Sequence, residues 1–151
     1  MDWSIFLTSA LVCGVVLSVV LTAIMIISAV IAPDMWVGDY PPAIKERFGP
    51  MSVRASRLRP YVAAVFFLAV LAIPLIGLVS LQSTLGPISF LLALAFSFLV
   101  LLVFNVFDLL VLDWLLFCTI QPRPMILAGT EGMAAYRDYR FHFVGFLKGL
   151  G

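Results

Sequence analysis

Three polar residues stand out for the chemistry they could do: Asn105, Asp108 and Asp113, in the second half of an apolar stretch from Ile88 to Ile120 that holds no Gly, Pro, Lys or Arg. Ionisable groups are costly inside a membrane-length segment, so they are kept for ion, proton or headgroup chemistry, or are neutralised by an opposite charge. At roughly 100° per residue, Asn105 falls between Asp108 and Asp113 around the helix, and Ser97 lies at the deeper edge of the same broad face. Asp108 and Asp113, five residues apart, do not share one line on an α-helix. Two readings of this face compete. In one, Arg54, Arg57, Arg59 or Arg123 pairs with the carboxylates and pins loops to the helix; in the other, Asn105, Asp108 and Asp113 form an ion, proton or headgroup site.

Composition determines what must position these groups. Hydrophobic residues make up 64% of the 151-residue chain and charged residues 11%, against roughly a quarter charged in soluble domains. One all-α, polytopic membrane domain is expected, with no room for a separate soluble domain. Trp3 to Ala32 is an apolar run longer than the roughly twenty residues a span requires. Its acidic, aromatic start and its length argue for a retained helix over a cleaved signal peptide. Pro33 ends it. The second span is expected over residues 61–81, kinked near Pro74 and Gly77, and the third over residues 88–120. The short uncharged turn from Gln82 to Pro87 makes these two antiparallel neighbours. Splitting the third run into two spans near Asn105 fares worse, because no Gly or Pro is present to turn on and each half would be short.

Residues 33–60 read as a basic loop containing short helices. One runs from Pro41 to Gly49 with Asp39 near its cap; another is capped by Ser52 and carries Arg54 and Arg57, with Arg59 closing the loop before Pro60. Every Lys and Arg lies either in this loop or after Ile120. The positive-inside rule therefore sets the loop and the C-terminus in the cytoplasm and the N-terminus outside, with a bacterial inner membrane as the expected location. Arg54, Arg57, Arg59 and Arg123 are also placed to meet anionic lipid headgroups. In residues 121–151, Met133 to Leu150 mixes charged and aromatic side chains as an interfacial amphipathic helix does, and a partner-docking helix uses the same pattern.

Ala10, Gly14, Ser18 and Thr22 recur every fourth residue along the first helix and form a stripe on which another helix can approach closely. The stripe fits contact with the second or third helix, or a seam with another copy or subunit.

Few catalytic constellations are compatible with this sequence. One histidine, His142, and two cysteines, Cys13 and Cys118, argue against a His/Cys metal centre, so neither metal nor cofactor is expected. The cysteines are expected near opposite ends of their helices, as buried packing residues without a disulfide. No Gly-x-Ser-x-Gly, Gly-x-x-x-x-Gly-Lys-Ser/Thr or His-Glu-x-x-His pattern occurs. His142, between Phe141 and Phe143, reads as interfacial packing, with no carboxylate evident to orient it. Nucleic acid is not an expected partner, since the basic residues sit beside anionic lipid. The leading expectation is an accessory or assembly subunit, or a self-associating module, of a membrane complex. A small-solute or proton carrier working as an oligomer through Asp108 and Asp113 is the alternative, followed by a headgroup enzyme at the cytoplasmic face.

Overall fold

A computed structural model describes residues 2–150. The chain is all-helical among these residues, and three of its helices are long and apolar enough to cross a membrane. Helix α1 (Trp3–Ile31) begins at Asp2, whose carboxylate accepts the Ser4 and Ile5 amides, and stops one residue before Pro33. A 3-10 segment (Pro33–Asp39) and helix α2 (Pro42–Phe48) form the loop, and α2 ends at Gly49 with a left-handed φ of 91° that favours glycine. Helix α3 (Val53–Leu85) turns at Gly86 into α4 (Phe90–Phe107), which runs on as a π-helix (Asp108–Ile120). Two short 3-10 turns (Arg123–Met125, Ala134–Arg137) lead to α5 (Tyr139–Gly149).

Two boundaries differ from the sequence reading. The second span, expected over 61–81, lies within α3, but no separate loop helix precedes it: Ser52 caps α3 itself through the Ala55 amide, and Arg54, Arg57 and Arg59 lie in its first two turns. Pro60 does not end this helix. A proline inside a helix costs one backbone hydrogen bond and a local clash, and the surrounding turns run straight through it. Asp39 also does not cap α2, whose N-cap is Pro41 with no side-chain bond.

Helix α1 sits between α3 and α4. Its inward face, Phe6, Ala10, Cys13, Leu17 and Leu21, packs with Leu81 of α3 and with Phe96 and Val100 of α4. The small-residue stripe lies in this seam: Ala10, Gly14 and Ser18 are buried, and Thr22 is half-buried. A Cβ on Gly14 would stand 2.5 Å from Val103 Cβ, so only glycine allows α4 this close. Gly77 of α3 does the same service at Cys13, where a Cβ would meet Sγ at 2.8 Å. Cys13 and Cys118 are both buried and unbridged.

A second core forms where the loop meets the tail. Tyr40, Ile44, Phe117, Leu127 and Tyr136 pack together there. Tyr136 Oη accepts the Leu127 amide and hydrogen-bonds Thr130 Oγ1, while Tyr40 Oη donates to the Met125 carbonyl. The Asp34 carboxylate, itself buried, accepts the Ser52 amide and ties the 3-10 segment to the start of α3. These links hold loop and tail as one cap over the end of the helices. At 1.5 Å per residue, the 29 residues of α1 reach about 43 Å and the 33 of α3 about 50 Å, beyond a hydrocarbon core of about 30 Å, so the helices extend up to this cap.

Candidate functional site

Between the cap and the ends of the long helices lies a cleft of about 420 Å³, within the range of small-molecule sites. Asn105, Asp108 and Asp113 all line it, together with Asp39 and His142. The π-helix explains how Asp113 joins Asp108. On an α-helix the two would diverge by roughly 140°. Here the backbone bonds run i→i+5, as at the last turn where the Gln121 amide donates to the Leu116 carbonyl at 2.7 Å. Residues five apart then stack much as residues four apart do in an α-helix. The sequence places the two aspartates on one broad face but not on one line of an α-helix, and this register brings them nearer to one line.

His142 gives a correction. Helix α5 is capped by Asp138, which accepts the Phe141 amide at 2.9 Å, and lies against the π-helix. That docking sets His142 Nδ1 2.9 Å from Asp113 Oδ1, with the imidazole only 6% exposed and edge-on to Phe117. A carboxylate does therefore orient the histidine, and the expected interfacial packing role does not describe it. Its other nitrogen, Nε2, is buried without a hydrogen-bond partner. Asp113 thus fixes the ring through Nδ1 and leaves Nε2 as its one uncommitted nitrogen.

The pairing with arginines does not form. The His142–Asp113 contact is the one pairing of a basic with an acidic side chain among the described residues, and Arg54, Arg57, Arg59 and Arg123 are all exposed. Arg59 does act electrostatically, but on Asp39. Asp39 lies at the open side of the cleft, where partial desolvation raises its carboxyl above the ordinary range; Arg59 opposes this, Asp113 adds to it, and Lys45 opposes it more weakly. Burial, with Tyr136 and Asp39 nearby, likewise raises the Tyr40 hydroxyl, which stays protonated and keeps its donor bond to Met125.

The walls are aromatic. Trp36 and Tyr40 come from the loop, Phe66 from α3, Phe104 from α4, and Phe141 and Phe146 from α5. Asn105 donates its amide to the Leu101 carbonyl at 2.9 Å, one turn back, which leaves its Oδ1 as the free end. Among the described residues, no three of His, Cys, Asp and Glu are placed to hold a metal ion.

Asn105, Asp108 and Asp113 are therefore brought together, whereas the four arginines lie outside the cleft and the small-residue stripe lies in the helix seam. Sequence reasoning missed Asp39, His142 and the aromatic walls as parts of the site. The one available signal was that the chain's only histidine falls in an amphipathic tail, 29 residues past Asp113. Compared with protein-family models, with curated proteins and with solved structures, the chain matches none, so the cleft's geometry alone carries the functional reading.

Proposed function

We propose that this protein is a small-cation or proton carrier of the membrane, with the acidic cleft as its loading site. The observation that carries the reading is the convergence of Asp108, Asp113 and His142 on one cleft, with Nε2 buried and unpartnered. Intramembrane or boundary carboxylates of this kind serve ion and proton pathways. The basic residues of the loop and tail support a cytoplasmic placement of the cleft, with the N-terminus outside and a bacterial inner membrane as host. Arg54, Arg57 and Arg123, exposed and free of ion pairs among the described residues, are available to anionic headgroups in that placement.

Three helices do not enclose a complete path, so the carrier works as an oligomer. Helix α3 supports this, because only 6% of its apolar window is buried within the chain. The same uncovered helix also favours a second reading, an accessory or self-associating module of a membrane complex, in which α3 is a partner's docking face.

Solid-supported-membrane electrophysiology on proteoliposomes separates the two, since it registers movement of any charged solute. Protons, Na⁺, K⁺ and small amines are applied in turn to the native protein and to Asp108→Asn and Asp113→Asn. A current for one solute that both variants lose, at unchanged native mass, supports the carrier. No current from any solute, or currents that both variants retain, overturns it.

A further inference from the structure

The hydrogen-bonding inventory of the cleft is one-sided. Four lining side chains carry donors, and each already makes a bond within the protein, Asn105 with one of its two amide hydrogens. Trp36 Nε1 donates to Ser28 Oγ at 2.8 Å, Tyr40 Oη to the Met125 carbonyl at 2.9 Å, and Asn105 Nδ2 to the Leu101 carbonyl at 2.9 Å. The fourth, His142, meets Asp113 through Nδ1. What remains is mostly acceptors: the Asp39 and Asp108 carboxylates, the second oxygen of Asp113 and Asn105 Oδ1, beside the second amide hydrogen of Asn105. No Lys or Arg lines the cavity.

An acceptor-rich cavity with three carboxylates and aromatic walls selects a cation that has hydrogens to donate and an apolar body. Aromatic faces attract such a cation through their quadrupoles, and a buried acceptor left unmade is costly. A bare metal ion would leave the aromatic walls unused. A quaternary ammonium would satisfy the rings but leave the Asp108 carboxylate and Asn105 Oδ1 without donors. We propose that the cleft binds a primary ammonium group on an apolar carbon skeleton, its N–H groups shared among Asp108, the second oxygen of Asp113 and Asn105 Oδ1. This rests on the cleft being the working site of the carrier reading and names its ligand class. A free amine and an aminophospholipid headgroup both carry this ammonium, and the chemistry of recognition is shared.

Isothermal titration calorimetry of the full chain in phosphatidylcholine nanodiscs, with empty nanodiscs as the blank, tests the assignment with four probes of one skeleton. They are hexylammonium, hexyltrimethylammonium, hexanol and hexanoate. Saturable binding of hexylammonium, at least about tenfold tighter than the trimethyl probe and absent for hexanoate, is the expected result. This comparison uses only the native protein, so no variant has to fold for it. Asp108→Asn, at unchanged native mass, should weaken hexylammonium by about tenfold or more. Adding phosphatidylethanolamine to the nanodiscs distinguishes the sources. A rightward shift of the isotherm marks the lipid headgroup, no shift marks the free amine, and both support the ammonium assignment. Hexanoate binding as tightly as hexylammonium, equal affinity for the two cations, or no saturable heat with hexylammonium overturns it. Ammonium binding without any current would leave this assignment standing and remove the carrier reading. A current carried by another cation, lost in Asp108→Asn, with no ammonium binding would do the reverse.

Discussion

Replacing His142 by Ala should release α5 from the helices while leaving the three long helices packed. The magnitude follows from what the ring touches. Its Nδ1 makes a 2.9 Å bond to Asp113, and its face meets Phe117 at a centroid distance of 4.8 Å and Phe141 at 5.3 Å. A hydrogen bond to a charged group contributes about 1.5–3 kcal/mol, and an aromatic pair adds about 0.5–1.5 kcal/mol. Asp113 is 28% exposed, so the lower part of the first range applies. The docking of α5 should therefore lose about 2–4 kcal/mol. Asp113→Asn should lose only about 1 kcal/mol, since its amide carbonyl still accepts from Nδ1–H. A double-mutant cycle of the two should show a coupling of about 1 kcal/mol. Hydrogen–deuterium exchange read by mass spectrometry in nanodiscs resolves this, because local opening free energy sets the amide exchange rate. At about 1.4 kcal/mol per decade, His142→Ala should speed exchange in α5 (Tyr139–Gly149) roughly 30-fold or more, with α1 and α3 unchanged. Acceleration of α5 under about threefold would refute the docking argument, and so would an equal acceleration of every helix.

Other expectations concern the frame around the cleft. Gly14→Val should lower thermal stability by about 2 kcal/mol, since overpacked cores lose about 1–3 kcal/mol and a Cβ there meets Val103 Cβ at 2.5 Å and the Val100 carbonyl at 3.1 Å; Gly38→Ala, with nothing within 4 Å, is the silent control in the same melting assay. Tyr136→Phe removes the acceptor of the Leu127 amide and the partner of Thr130 Oγ1, both buried, and should cost about 1–3 kcal/mol in the same assay. Asp39 titrates above its ordinary range in the folded chain, so its ionisation opposes folding: its penalty is absent below about pH 4 and grows as pH rises through the folded value. Asp39→Asn should therefore melt with the native protein at pH 4 and above it at pH 7, and a reversed order would contradict the desolvation cause.

The fold was legible to the extent that its determinants are local. Apolar length alone predicts all three spans, and Gly49, Gly86 and Pro33 end helices where their backbone chemistry dictates. The start of α3 was not legible, because Pro60 reads as a break while the Ser52 cap and the Asp34 carboxylate hold the preceding turns in helix. Of the site, Asn105, Asp108 and Asp113 were legible as polar residues in an apolar run. Their mutual placement was not, since it depends on an i→i+5 register that no residue pattern in Asp108–Ile120 announces. Asp39 and His142 enter the cleft through tertiary contacts, from the loop and the tail, across 69 and 29 residues from Asp108 and Asp113 respectively. Nothing in the spacing of those residues encodes that meeting. The carboxylate pairing of the arginines does not form for a related reason: charge complementarity in sequence says which groups can pair, whereas helix direction decides which do, and Arg54 and Arg57 of α3 are exposed.

The central claim is that the cleft's acceptors hold a cation, and the most direct measurement of it is a distance. Rotational-echo double-resonance NMR between ¹⁵N-labelled hexylammonium and ¹³Cγ-labelled aspartate, on the protein in lipid, reads that distance without reference to transport. The account predicts dephasing in the native protein that falls sharply in Asp108→Asn at saturating ligand. No dephasing at saturation, or dephasing unchanged by Asp108→Asn, would contradict it.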